Sequence, residues 1–318
     1  MEILKKIKQP ILITGAAGFI GSNLVRFLVS KKIKVNIILK KGSSLWRIKD
    51  IIQNTNCYFV DLKDKRNLEK TIKFIKPKTI FHFAANGAYA NQNNPTLIKA
   101  NVLDGTINLL NECSKYKFNI FINTGSSSEY GFKNKKMKET DLLVPNSYYS
   151  MFKSSATLFC QHESLLKNLP IITVRPFHVY GPYEEPSRLI PTILKNLIEN
   201  KTIKLVSPNI SRDLIYIDDV VNFYISISKK NKLRGEIFNL GYGKNTTIKS
   251  IYEYLKKITK SKSLNKWNTM KNRKWDQTIW FSDMSYVKKK LQWYPKITYK
   301  KGLYKNLIWY KKFYVKNN

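Results

Sequence analysis

With 318 residues, 43% of them hydrophobic, the chain is long enough to bury a sizeable core in one large domain or two intimate ones. No stretch approaches the roughly eighteen apolar residues of a membrane span. The opening MEILKKIKQPILITG lacks the apolar core of a signal peptide, and Cys57, Cys113 and Cys160 have neither disulfide nor metal spacing, so a cytoplasmic protein with no membrane partner and no metal is expected.

The formal charge of +36 raises the question of nucleic acid. Of the 57 basic residues 49 are lysine and only 8 arginine, the better residue for bidentate phosphate and base contacts. The lysines are spread along the chain with many Asn and Ile, a pattern of AT-rich codon drift. A solvated surface is therefore preferred, with no nucleic-acid partner.

In chain order, residues 10–14 (PILIT) predict a buried strand, 15–21 a turn and 22–30 an amphipathic helix. Further strands are predicted at 34–39 (KVNIIL), 56–60 (NCYFV), 78–84 (KTIFHFA), 119–124 (NIFINT) and 171–174, with a helix over 97–116. The alternation implies βαβ units and a parallel sheet. After Pro176 the texture changes, with Pro182, Pro186, Pro191 and Pro208 punctuating shorter elements, so a domain boundary is expected near residue 175.

The first turn reads Thr14-Gly15-Ala16-Ala17-Gly18-Phe19-Ile20-Gly21, a GxxGxxG between strand and helix. Glycines there let the backbone approach a pyrophosphate, and the helix N-terminus offers free N–H groups and a positive dipole end. A site that prefers NAD usually has an acid at the end of the second strand to accept from the ribose 2′-OH. No acidic residue stands between Glu2 and Asp50; the segment instead carries Lys40, Ser43, Ser44 and Arg47, which suit a 2′-phosphate. NADP(H) is therefore the expected cofactor and NAD(H) the alternative. Asp61, after the third strand, suits the adenine amino group or simply a loop.

Three further signals follow at the carboxyl edge of the predicted sheet, where ligands of open α/β sheets sit. Gly125-Ser126-Ser127-Ser128-Glu129-Tyr130-Gly131 follows the fifth strand, and Pro145 to Lys153 opens a helix. Tyr149 and Lys153 are four apart and share a helix face, whereas Tyr148 points elsewhere. Oxidising a carbinol removes a hydroxyl proton as well as a hydride. A free tyrosine, with a pKa of about 10, is a poor base for that step, and a neighbouring ammonium makes it a better one by stabilising the phenolate.

Read in order, TGAAGFIG, FHFAA, GSSSEYG, PNSYYSMFK, RPFHVYGP and SRDLIYIDD resemble the extended short-chain dehydrogenase/reductases that modify nucleotide-activated sugars, over nearly the whole chain. The resemblance implies a Rossmann-type, doubly wound parallel sheet in 1–174, joined by part of 213–241, with a smaller C-terminal α/β substrate domain in 175–318. It implies a Ser126–Tyr149–Lys153 catalytic set, Lys153 also holding the nicotinamide ribose. Cofactor contacts by Leu62, Ala84 and Ala85, beside those of the glycine turn, are likewise implied. Ser127, Ser128, Arg212 and Arg273 would hold a nucleotide-diphosphate sugar, and a homodimer is expected. His178 stands where many relatives carry Asn, which leaves a ligand-facing and a structural role both open.

Sugar 4,6-dehydratases of this type carry a Glu two residues before the tyrosine of the YG pair; here that position is Ser128, and Glu129 falls one residue late. In an extended loop one residue turns the side chain to the opposite side, so dehydration is disfavoured. Hydride transfer at C4 remains, as a 4-ketoreductase first and a 4-epimerase second. The C-terminal run from Asn272 to Leu303 also resembles CDP-abequose synthase-type 4-ketoreductases. The rival from another class is a non-catalytic, RNA-binding member of the fold.

Overall fold

The computed structural model describes residues 6–87, 92–270 and 278–313. They cluster into two compact units: Met1–Gly131 with Leu142–Pro176 and Val221–Phe238, and Phe132–Asp141 with Phe177–Val220 and Asn239–Asn318.

The first unit is built on β1 (Ile11–Thr14), β2 (Asn36–Leu39), β3 (Asn56–Phe59), β4 (Thr79–His82), β5 (Ile120–Thr124), β6 (Ile171–Pro176) and β7 (Glu236–Leu240). They form one sheet in the order β7-β6-β5-β4-β1-β2-β3, and every pairing among β1 to β6 is parallel. The strands β1, β2, β4, β5 and β6 are buried from end to end, as near-continuous apolar runs must be when both faces of a parallel sheet are covered. The two edge strands, β3 and β7, are the ones that show side chains to water. The chain leaves β1 for one side of the sheet and crosses to β4 for the other. The topological switch point, where ligands of such sheets bind, therefore lies between β1 and β4.

The helices of this unit are α1 (Phe19–Ser30), α2 (Lys65–Ile75), α3 (Pro95–Lys99), α4 (Gly105–Ser114) and α5 (Tyr148–Leu166). Two departures from expectation have local causes. Helix α1 starts at Phe19 rather than 22, because Gly18 N–H closes onto Gly15 O at 2.9 Å and Ser22 N–H onto Gly18 O at 2.9 Å. The helix expected over 97–116 begins at Pro95, capped by Asn94, and is split by a π-turn over Ala100–Asp104. Thr106 Oγ1 donates to Val102 O at 2.5 Å just beyond it, and such π-turns concentrate at functional sites.

In the second unit α6 (Leu189–Ile198), α8 (Ile248–Thr259) and α10 (Tyr299–Phe313) bury one face each, with Ile193, Leu197, Ile251, Leu255, Leu303 and Leu307 in its core. Between α6 and α8 the chain forms α7 (Ile217–Ile227), which from Val221 onward belongs to the first unit, and α9 (Ser285–Leu291) precedes α10. Buried Asp213 fastens this unit. Its carboxylate accepts from Tyr242 N–H at 2.8 Å, Ser282 N–H at 2.9 Å and Ser282 Oγ at 2.6 Å. Among the described residues no helix is long and apolar enough to cross a membrane.

Candidate active site

A cavity of about 570 Å³ opens at the carboxyl ends of β1, β2, β3 and β4. Of the residues assigned to a cofactor from the sequence, Gly15, Gly18, Lys40, Ser43, Ser44, Arg47, Asp61, Leu62, Ala84 and Ala85 line it. Phe19, Ile20, Gly21 and Lys153 do not; the first three form the first turn of α1 behind the loop. Gly15 has φ +68° and a Cβ there would lie 2.5 Å from Ala84 N, while a Cβ on Gly21 would lie 2.3 Å from Gly15 O. Glycine is thus required both for the turn and for the approach of α1 to it. The resulting bare backbone before a helix N-terminus fits a pyrophosphate.

The sequence reading missed Asn101, on the π-turn, and Gln92, both of which line the cavity. No periodicity signals them, because the π-turn shifts Asn101 out of helical register.

The cations of the cavity are not equivalent. Lys40 Nζ lies 3.4 Å from Asp61 Oδ2, and Lys63 Nζ 3.6 Å from the same oxygen. Partial burial pushes the Asp61 carboxyl up. The Lys63 backbone N–H and the two ammonium groups outweigh that and hold it below its ordinary value. Arg47 is buried, its guanidinium stacked 4.3 Å over the Trp46 ring, with Nη1 donating to Ala17 O at 3.4 Å. It therefore joins the loop after β2 to the phosphate turn.

At the end of β5, Ser126 caps a short 3₁₀ turn, Ser127–Tyr130. Its Oγ accepts from Ser128 N–H at 3.1 Å and lies 2.7 Å from Ser128 Oγ. Glu129 turns the other way, into the core. Its Oε1 accepts from Ser126 N–H at 2.8 Å and Thr157 Oγ1 at 3.1 Å, and its Oε2 from Arg175 Nε at 2.8 Å. Burial pushes this carboxyl up, and the Arg175 guanidinium pulls against it. Arg175 in turn stacks 4.9 Å from the Tyr130 ring.

Helix α5 is opened by Ser147, whose Oγ accepts from Ser150 N–H at 3.1 Å, so that Tyr149 enters in the first turn and Lys153 in the second. Tyr148 is half exposed. Lys153 is buried and its Nζ donates to Thr124 O at 2.6 Å, two residues before Ser126. Burial pulls this ammonium down to about 8, against the opposing charge of Glu129.

Beneath it His82, which the sequence reading did not single out, lies 2.6 Å from Thr14 Oγ1 and 2.9 Å from Thr106 Oγ1. Burial, with the Lys153 charge second, holds the imidazole near 3 and so neutral.

His178 and Arg212 belong to the second unit. His178 opens the strand His178–Tyr180, paired with Leu214–Tyr216, and its buried Nε2 has no partner among the described residues. Burial first, and the Arg212 and Arg188 charges after it, press its imidazole down to about 3. Arg212 Nη1 donates to Ser211 O at 2.8 Å. Arg273 lies outside the described residues.

A parallel sheet with a glycine turn at the switch point, and a Tyr-x-x-x-Lys helix bonded to the end of β5, define an enzyme of the extended short-chain dehydrogenase/reductase class. Residues 11–241 match the model of the NAD dependent epimerase/dehydratase family, and the chain belongs to that family.

It is 31% identical over 313 residues to the UDP-glucuronate 4-epimerase of Thermodesulfobacterium geofontis, covering 94% of this chain and 95% of that one. It is 26% identical to the human dTDP-D-glucose 4,6-dehydratase, covering 95% and 89%. Among solved structures it resembles the UDP-glucuronic acid 4-epimerase of Bacillus cereus in complex with UDP-glucuronic acid and NAD. The TM-score is 0.85 at 26% identity, covering 96% and 99% of the two chains.

Glu129→Ala is expected to leave Arg175 buried without its carboxylate and to destabilise the protein by about 3–5 kcal/mol, the cost of breaking a buried pair. Urea unfolding of the two proteins measures this; an unchanged midpoint would show that Glu129 does not fasten β5 to β6.

Proposed function

We propose that this chain transfers a hydride at C4 of a nucleotide-activated hexose, as an NADP(H)-dependent 4-ketoreductase. The observation that carries the hydride chemistry is the buried Lys153 ammonium, bonded to Thr124 O one helical turn from Tyr149. The nicotinamide cofactor, when bound, supplies or accepts the hydride. Tyr149 donates the proton to the C4 oxygen, or removes it in the reverse direction. Lys153 lowers the cost of the phenolate and holds the nicotinamide ribose, and Ser126 orients the same oxygen. Ser127, Ser128, His178, Arg212 and Arg273 hold the nucleotide sugar, the arginines through paired phosphate contacts. On this reading the first unit binds the dinucleotide and carries the reacting groups, and the second supplies the arginines for the nucleotide diphosphate.

A 4-epimerase is the second reading, favoured by the relatives named as 4-epimerases and by the NAD in the Bacillus cereus structure. Dehydration is not proposed. Glu129 is committed to Arg175, and its two predecessors are serines. A non-catalytic role as an RNA-binding protein is disfavoured by the Tyr149–Lys153 arrangement, which a scaffold has no need to keep.

The acid/base assignment predicts that Tyr149→Phe loses turnover by about two to four orders of magnitude while cofactor affinity holds. It also predicts an alkaline limb. As pH rises through about 8 the Lys153 ammonium loses its proton, the phenolate loses its neighbouring charge, and kcat/KM falls. Lys153→Arg, which stays charged, should move that limb to higher pH. A pH–rate profile in which the limb stays put would remove Lys153 from this role.

The cofactor preference rests on Arg47 more than on Lys40, because Asp61 offsets the Lys40 charge. NADP should bind about tenfold more tightly than NAD at low salt, a charge-assisted contact reduced by screening. The gap should narrow as salt rises. Arg47→Ala should abolish most of it and Lys40→Ala much less. Equal binding of the two oxidised cofactors would make the 4-epimerase the leading reading, as would NAD that copurifies and is not consumed in turnover.

A homodimer is supported by the outward positions Met151, Leu158 and Leu165 of α5. They are 40%, 56% and 63% exposed, seven residues apart, on a helix that carries no exposed lysine before its end. Leu158→Asp is expected to shift sedimentation from dimer to monomer.

A further inference from the structure

The positive charge is not evenly spread. From Ser285 to Phe313 the chain carries nine lysines and not one acidic residue, about one net charge per three residues, against +36 over 318. A second acid-free run, from Tyr254 to Lys274, carries seven lysines and one arginine, so density alone does not mark the later run; its sorting on a helix does.

Helix α10 sorts these residues. Gly302, Leu303, Asn306, Leu307 and Tyr310 are buried on its inner face. The opposite stripe presents Lys301, Tyr304, Ile308, Lys311 and Lys312 to solvent, with Tyr304 53% and Ile308 52% exposed. Lys305, at the margin, is occupied by Asp218 at 2.5 Å and by the Tyr216 ring. Beside the stripe Trp309 and Phe313 stack at 4.8 Å and pack on Tyr183 at 4.9 and 5.3 Å, which holds this edge of the helix rigid.

We propose that the outer face of α10 docks on an anionic lipid surface, with Tyr304 and Ile308 entering the headgroup region and Lys301, Lys311 and Lys312 pairing with lipid phosphates. Charge complementarity and residue type select this occupant. Lysine stems lie along apolar surface while their ammonium groups reach the phosphates. Tyrosine is at home at the membrane–water boundary, and a basic face attracted to anionic lipid needs no spanning segment to bind.

Nucleic acid fits less well. No arginine occurs between Ser285 and Phe313, and Ile308 has nothing to offer a base. The expectation of no membrane partner rested on the lack of a spanning segment, which a peripheral contact does not need.

The test is flotation of the full chain with vesicles of phosphatidylcholine alone and with about one third phosphatidylglycerol, at low and high salt. Binding is expected only to the anionic vesicles and should vanish in about 1 M salt. Each lysine near the surface is worth roughly fivefold in partitioning, so Lys301→Glu/Lys311→Glu/Lys312→Glu should lose at least about a hundredfold.

The same reversal at Lys65, Lys70 and Lys73, exposed on α2 of the other unit, should lose much less, and Ile308→Asp should weaken binding several-fold with every lysine in place. Cofactor binding reports that each variant is folded. Equal losses from the two triple variants would reduce the effect to diffuse charge and overturn the proposal. Equal binding to neutral vesicles would do the same, as would RNA binding lost in the α10 variant with no vesicle binding at all.

Discussion

A lysine ammonium buried 2.6 Å from the last carbonyl of β5 is the interaction around which the first unit is arranged. Removing a charge from water costs several kcal/mol unless partners replace the solvent, and the surroundings of Lys153 show how they do. Thr124 O accepts from it directly, and Glu129 lends negative charge through the core. Glu129 is tolerable there only because Arg175, Ser126 and Thr157 each donate to it. His82 sits between two threonine hydroxyls, where burial and the Lys153 charge keep it neutral. The residue one place late for dehydration chemistry thus serves the fold instead. It fixes β5 to β6 and supports the buried Lys153 ammonium.

How much of this was legible depended on whether the cause was local. The buried strands were readable because a parallel sheet covered on both faces demands unbroken apolar runs, as in PILIT and NIFINT. The glycine turn and the helix opening before Tyr149 were readable because turn and cap geometry fix residue type and spacing. β7 went unread: EIFNL, at the sheet's edge and half polar, lacks the unbroken apolar run that marked the central strands. The π-turn was invisible because Ala100–Asp104 has ordinary helical composition. The partnership of Lys40 with Asp61, 21 residues apart, belongs to the meeting of two strand ends and to no motif.

That partnership changes which cation matters at the cofactor edge. A lysine in so lysine-rich a chain says little about a phosphate site, and one that already shares a carboxylate says less. Arg47 is one of only eight arginines. It is buried at the cavity wall, stacked on Trp46 and bonded to the phosphate turn, so its guanidinium is preorganised and little rotamer entropy remains to be lost when a ligand binds.

The same reasoning governs the whole charge distribution. Net charge of one sign keeps copies of a protein apart, so a surface that meets a second copy must be relieved of it. The exposed face of α5 before its last turn has no lysine. The outer face of α10 has the opposite character, lysines framing two half-exposed apolar side chains with no acid among them. On the proposed readings the two faces answer two constraints: exclusion of charge where apolar side chains of two copies would meet, and retention of charge where the counter-surface is anionic.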